Sequence, residues 1–114
     1  DSHLALPRVA HPRQRLEQVE FVPFRAAVTA GAAALMTAHV VYPAWDEDRP
    51  ATMSWRIQRE ILRKELGFRG VLFSDDMEMK AVRGRYPVEQ QVREATAATV
   101  DVFLCCRAPE LQIE

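Results

Sequence analysis

The sequence predicts an α/β fold built on a parallel sheet, and three observations carry that reading. Apolar runs recur at 33–39, 70–74 and 100–105, with starts about thirty to forty residues apart, the length of a strand plus its crossover helix. Each run is continuous rather than alternating, as in strands covered on both faces. The segments between them carry helical periodicity and no hairpin signal, which makes repeated βα alternation, and hence parallel pairing, the expected topology.

The elements follow in chain order. Leu16 and Val19 open a first amphipathic turn, but Pro23 would break a helix interior. The expectation is therefore a short helix, a bend at Val22 and a second helix started by Pro23. Phe24, Ala27 and Val28 share a face of that second helix, and Gly31 supplies a left-handed cap. The first strand follows and ends in Leu35-Met36-Thr37-Ala38-His39. Ser54 is a good N-cap for a helix whose Ile57, Ile61, Leu62 and Leu66 form a broad apolar side. Gly67 ends it, and Phe68 folds back over its last turn. After the second strand, Val88, Val92, Ala95 and Thr99 recur at the spacing of one buried helix face. Loops at 41–53 and 75–86 follow strand ends and fall on the functional rim of the sheet.

Composition narrows the partners. A chain of 114 residues can bury one real core but is short of most enzyme scaffolds. Its formal net charge of −1 and scattered basic residues set up no field toward nucleic acid or anionic lipid. The stretch 26–45 is uncharged and long enough to cross a bilayer. It also holds Thr29, Gly31, Thr37, His39 and Pro43, which fit a helix end, a cap and a buried strand better. No membrane partner is expected. The chain opens without a signal-peptide pattern. Cys105 and Cys106 are adjacent, so a disulfide between them would be strained, and nothing has metal-ligand spacing. They read as reduced thiols at a buried strand end, which favours a reducing, cytoplasmic compartment, and no metal or other cofactor is expected.

The chemistry concentrates at one strand end. Val71-Leu72-Phe73 delivers Ser74-Asp75-Asp76-Met77 to the C-terminal edge of the sheet, where α/β folds place their sites. One carboxylate can project as nucleophile or base while the other makes structural hydrogen bonds; the bland alternative is that both cap the next turn or face solvent. Asp1 and His3 stand at i and i+2, so an extended segment puts both on one side, where Asp1 can orient the imidazole as a general acid and base. The alternative is a solvated terminus. His39 either lines the pocket or is satisfied by a neighbouring loop. His11 reads as a surface residue, and Met77 and Met79 as space-filling side chains.

Read together, several segments resemble glycoside hydrolase family 3, in particular its β-N-acetylglucosaminidases. They are Asp1-Ser2-His3 with Leu6-Pro7, Val22-Pro23-Phe24, Met36-Thr37-Ala38-His39-Val40, Arg49-Pro50-Ala51-Thr52, and the run from Leu66-Gly67-Phe68 through Ser74-Asp75-Asp76-Met77-Glu78-Met79. The resemblance implies the later half of a (β/α)8 TIM barrel, as a single partial domain over 1–114. It further implies a retaining enzyme that removes terminal β-linked N-acetylglucosamine from peptidoglycan-derived fragments in cell-wall recycling. Asp75 takes the place of the nucleophile, and His3 oriented by Asp1 that of the acid/base. His39 and Met79 become the substrate-binding candidates. Two departures stand out. The family's Lys-His-Phe-Pro-Gly-His-Gly stretch is absent, and Thr99 occupies a position where the family often has glycine. A competing expectation is an inactive half-barrel that self-associates through its open sheet edges.

Overall fold

A computed structural model describes residues 6–107. Its centre is a three-stranded parallel sheet in the order β1 (Ala34–Met36), β2 (Val71–Asp76) and β3 (Val102–Leu104). Ala34, Leu35 and Met36 pair in register with Val71, Leu72 and Phe73. Helices connect and flank the strands. A single α-turn, α1 (Arg13–Arg15), widens into π-type i→i+5 hydrogen bonding over Leu16–Glu20. Then come α2 (Val22–Thr29), α3 (Arg56–Glu65, also π-type), the one-turn α4 (Lys80–Arg83) and α5 (Val88–Ala98). The expected strand–helix order and parallel pairing hold. Among the described residues, no helix is long and apolar enough to cross a membrane.

Two apolar clusters hold the layers together. Leu72 from the covered face of the sheet packs with Met53, Phe68, Val82, Tyr86, Ala95 and Val100. Burying a leucine side chain as completely as Leu72 is worth about 2 kcal/mol. The second cluster joins Leu16, Trp45, Ala51, Ile57 and Ile61, with the Phe21 ring tilted 32° against Trp45 at 4.6 Å between centroids. The other face of the sheet is open: Met36 is 57% and Val71 41% exposed.

Glycines end two helices as expected, Gly31 at φ +80° and Gly67 at φ +73°. Gly70 is required for a different reason. A Cβ there would lie 2.3 Å from the Ala33 carbonyl oxygen, so only glycine lets β1 and β2 start side by side. Phe68 is buried behind Gly67, under the Arg63 guanidinium at 5.0 Å. Ser54 does cap α3, its Oγ accepting the Ile57 amide at 3.2 Å.

Several expectations need correction. The first strand is shorter than 33–39, because the chain beyond Met36 pairs with the rim loop instead: Ala51 donates to the Val40 carbonyl and Thr52 to that of Ala38. The second strand runs on through Asp76, so both carboxylates belong to the strand rather than to a loop starting at 75. The third is shorter than 100–105 because Thr99 adopts φ +120° and Val100 returns to close the helix end on Ala95. The break between the first two helices falls at Phe21, and α2 starts one residue before Pro23. Val19 is 50% and Phe24 44% exposed, so the apolar side of these helices is only partly covered. In α5 the buried face is Gln91, Ala95 and Ala98, and Val92 points outward. Apolar periodicity misread that face because a polar residue occupies its centre; Gln91 is tolerated there since its Nε2 donates to the Tyr86 carbonyl at 2.8 Å.

Candidate active site

The site is built where β2 meets β3. Phe73 pairs with Val102 and Asp76 with Leu104, so three steps along β2 face two along β3. Ser74 and Asp75 lie inside this bulge, a device that re-aims side chains at strand ends. Ser74 is fully buried and its Oγ accepts the Leu104 amide at 2.9 Å, replacing the displaced ladder hydrogen bond. Met77 N–H then donates to the Leu104 carbonyl at 2.8 Å and restores pairing. The sequence motif displayed Ser74, but its role depends on a register shift that no local pattern announces.

The bulge gives the two carboxylates different work. Asp76 Oδ1 accepts the amides of Glu78 at 3.1 Å and Cys106 at 3.4 Å, tying the turn after β2 to the segment after β3. Asp75 Oδ1 accepts only the amide of its neighbour Asp76 at 2.8 Å, and its second oxygen takes no hydrogen bond from the described residues. Neither Oδ2 takes a hydrogen bond from the described residues, so the two differ in that Asp76 ties two segments together while Asp75 is held by its neighbour's amide alone. That is the division that a nucleophile and its support require.

His39 is buried directly beneath. Its Nε2 lies 3.0 Å from the Asp76 carbonyl oxygen, so the ring carries its proton on Nε2 and donates there. Nδ1 is buried without a partner among the described residues. Burial holds the imidazole below its usual pKa, against the raising effects of the Asp76 carbonyl and the charges of Asp75 and Asp76. The neutral ring steadies the strand end that carries Asp75. Of the other candidates, Met79 is half-buried and packs against the main core, and Met77 is buried. Asp1 and His3 lie outside the described residues.

The rim loop is pinned on all sides. Asp46 accepts the amides of Asp48 and Arg49 and the Ser54 hydroxyl. Arg49 forms an ion pair with Glu94, and the Tyr86 hydroxyl donates to the Asp48 carbonyl at 3.0 Å. Thr37 Oγ1 sits 3.0 Å from Thr52 Oγ1, joining β1 to the same loop. The incoming chain is held beside it: Val41 donates to the Pro7 carbonyl and Val9 to the Val41 carbonyl, both at 2.9 Å. Cys105 flanks the site with its thiol pushed up by burial and by the nearby charges of Glu78 and Asp76, which makes it a poor nucleophile. Among the described residues, no group of three or more His, Cys, Asp or Glu side chains is assembled for a metal ion.

Comparison with known proteins bears on this arrangement. The sequence model of the glycosyl hydrolase family 3 N-terminal domain matches residues 1–114. The chain is 40% identical over 111 residues to the β-hexosaminidase of Neisseria gonorrhoeae, a match covering 97% of this chain and 30% of that protein. It superposes on a glycoside hydrolase family 3 β-N-acetylglucosaminidase from Paenibacillus sp. with a TM-score of 0.89 and 44% identity, over 92% of this chain and 20% of the other. CbsA from Thermotoga neapolitana superposes with a TM-score of 0.93 and 39% identity, over 99% and 26%. The chain thus spans about 30% of the length of the curated relatives it matches.

Proposed function

Since the chain belongs to the glycosyl hydrolase family 3 N-terminal domain family, we propose that it supplies the nucleophile-bearing later half of a (β/α)8 barrel in a retaining exo-β-N-acetylglucosaminidase. The observation that carries this reading is the unequal treatment of the two carboxylates at the end of β2. Asp76 is held by two backbone amides from two segments, while Asp75 is held only by the amide of its neighbour and joins no other segment. In this scheme Asp75 attacks the anomeric carbon, the bond to the leaving oxygen breaks, and His3, oriented by Asp1, gives that oxygen its proton. Water then attacks the anomeric carbon of the glycosyl-enzyme, His3 accepts its proton, and the bond to the Asp75 oxygen breaks to release the carboxylate.

The anchoring of Pro7 to Val41 supports the roles of Asp1 and His3. Four residues extend at most about 14 Å, and Val41 follows two residues after His39, which touches the Asp76 backbone. His39 and Met79 act behind the reacting groups, His39 through the backbone and Met79 through packing. The substrate is N-acetylglucosamine β-linked to a peptidoglycan-derived muropeptide, and the protein works in the cytoplasm, in keeping with two free cysteines.

The test is a chimera in which this chain replaces the matching segment of the Neisseria gonorrhoeae β-hexosaminidase. A fluorinated N-acetylglucosaminyl substrate that traps the glycosyl-enzyme should label the peptide holding Asp75, and Asp75→Ala should remove the label without loss of fold. Label on Asp76 or elsewhere would reject the assignment. The open face with Met36 and Val71 favours a second reading, self-association without catalysis. Sedimentation of the 114-residue chain decides it, since a monomer at micromolar concentration leaves that reading without support.

A further inference from the structure

The segment 6–9 meets the rim loop through one charged side chain. Val41 donates to the Pro7 carbonyl and its own carbonyl accepts the Val9 amide, which makes Arg8 the centre of a parallel bridge with Val41. The backbone is thus fixed on both sides of Arg8, and Leu6 and Val9 pack against the two apolar clusters. Arg8 then reaches Glu47, thirty-nine positions on, at two points. Its Nη1 donates to the Glu47 carbonyl oxygen at 3.2 Å and its Nη2 to Glu47 Oε1 at 2.6 Å.

The place of this pair sets it apart. Of the ion pairs among the described residues that join distant segments, Arg13–Glu65 links two helices, Arg49–Glu94 links the rim loop to α5, and Arg63–Asp101 closes the N-terminal end of the sheet. Arg8–Glu47 alone links the segment 6–9 to the loop at the catalytic edge. Exposed pairs hold little when both side chains must give up their freedom. Here the acceptor side is stiff already. Asp46 Oδ1 accepts the Asp48 and Arg49 amides, each at 3.1 Å, which folds the loop tip around Glu47. Asp46 Oδ2 takes the Ser54 hydroxyl at 2.7 Å and ties that tip to the start of α3. Tyr86 holds the Asp48 carbonyl and Glu94 holds Arg49. The Glu47 carbonyl is a fixed acceptor, so in that contact only Arg8 loses rotamer freedom.

We propose that Arg8, gripping Glu47, is a positioning residue for proton delivery: it fixes, against the rim loop, the backbone that leads back to His3. This rests on the reading of His3 as acid and base. Arg8 acts through that backbone and takes no part in bond breaking. General acid catalysis needs donor and acceptor at about 3 Å, and a displacement of about 1 Å can cost up to about a hundredfold in rate. Loosening the segment therefore falls on proton transfer. Attack by Asp75 is spared, because Asp75 is carried by β2 and lies outside this link.

The experiment compares Arg8→Gln, Arg8→Lys and His3→Ala in the chimera described above, on β-N-acetylglucosaminides with a nitrophenyl and with an alkyl leaving group. An alkoxide departs only when protonated, whereas nitrophenolate departs unaided. Arg8→Gln should lower kcat/KM about fivefold for the alkyl glycoside and leave the nitrophenyl glycoside within about twofold. Arg8→Lys, which keeps the charge and one contact, should fall between. Equal losses on the two substrates, or no loss on either, would overturn the proposal. So would a melting temperature lowered enough to account for the loss, since that marks the pair as merely structural. His3→Ala separates this outcome from the reading beneath it. A leaving-group dependence in His3→Ala but not in Arg8→Gln removes only the role of Arg8. No leaving-group dependence in His3→Ala removes the acid, and the proposal with it.

Discussion

At the N-terminal end of the sheet, Arg63 donates to the carbonyls of Gly70 at 2.6 Å and Thr99 at 3.2 Å and pairs with Asp101, whose carboxylate also accepts the Leu72 amide at 2.8 Å. At the C-terminal end, Asp75 keeps an oxygen and His39 a ring nitrogen with no partner among the described residues. Both ends of β2 carry charge, yet among the described residues only the N-terminal carboxylate sits against an opposite charge, that of Arg63, all of whose side-chain nitrogens donate. A charged group that is fully engaged holds strands together and has nothing left for a ligand. A charged group held on one side only retains capacity for chemistry, and its environment must be stiff enough to keep it in place. Here the bulge, Ser74 Oγ and the neutral His39 provide that stiffness.

The sharpest break of this comparison is Asp101→Ala. It removes the acceptor of the Leu72 amide and the ion-pair partner of Arg63 and should destabilise the chain by about 2 kcal/mol, read by urea denaturation. The amide shifts of Asp75 and Asp76 should stay where they are; movement there would mean that the two ends are coupled and the division is wrong. His39 gives the next largest effect. Its pKa is lowered in the folded state, so the unfolded chain binds more protons between the folded value and the usual 6.5. Stability should therefore be full above about pH 6.5 and decline as pH falls through that window. His39→Gln should lose about 1 kcal/mol at neutral pH and flatten the decline. A decline of unchanged slope in the variant would assign it to other groups.

The smallest effect sharpens the N-terminal end. Thr99, a β-branched residue, is held at φ +120°, the one non-glycine residue with positive φ among those described. Its hydroxyl has only long contacts, 3.3 Å from Arg63 Nε and 3.4 Å from Gln58 Oε1. Thr99→Gly should raise stability by about 0.5 kcal/mol, relief of strain outweighing those contacts. A drop in melting temperature would show that the hydroxyl matters more than the backbone.

What could be read in advance divides along the range of the interactions. Gly31, Gly67 and Ser54 were legible because a cap acts over one helical turn, and the chain itself displays the whole pattern. Gln91 and Val92 were not, because the choice of buried face in α5 was made by Tyr86, whose carbonyl takes the glutamine amide. His39 was legible as a group at a strand end but not in its task. That its Nε2 meets a backbone oxygen depended on Asp76, which approaches from another strand.

Local chemistry alone determined the α/β class, the parallel pairing, the helix ends and the placing of Asp75 and Asp76 at the C-terminal edge of a strand. Each of these follows from periodicity, punctuation by glycine and proline, and connection length, all of which act between near neighbours. Only the tertiary structure decided which carboxylate ties distant segments together and which does not. That choice comes from the bulge between β2 and β3, where Ser74 reaches Leu104 and Asp76 reaches Cys106 across thirty positions of sequence. A difference of one residue in strand pairing has no local signature, because it is set by how two distant segments fit together.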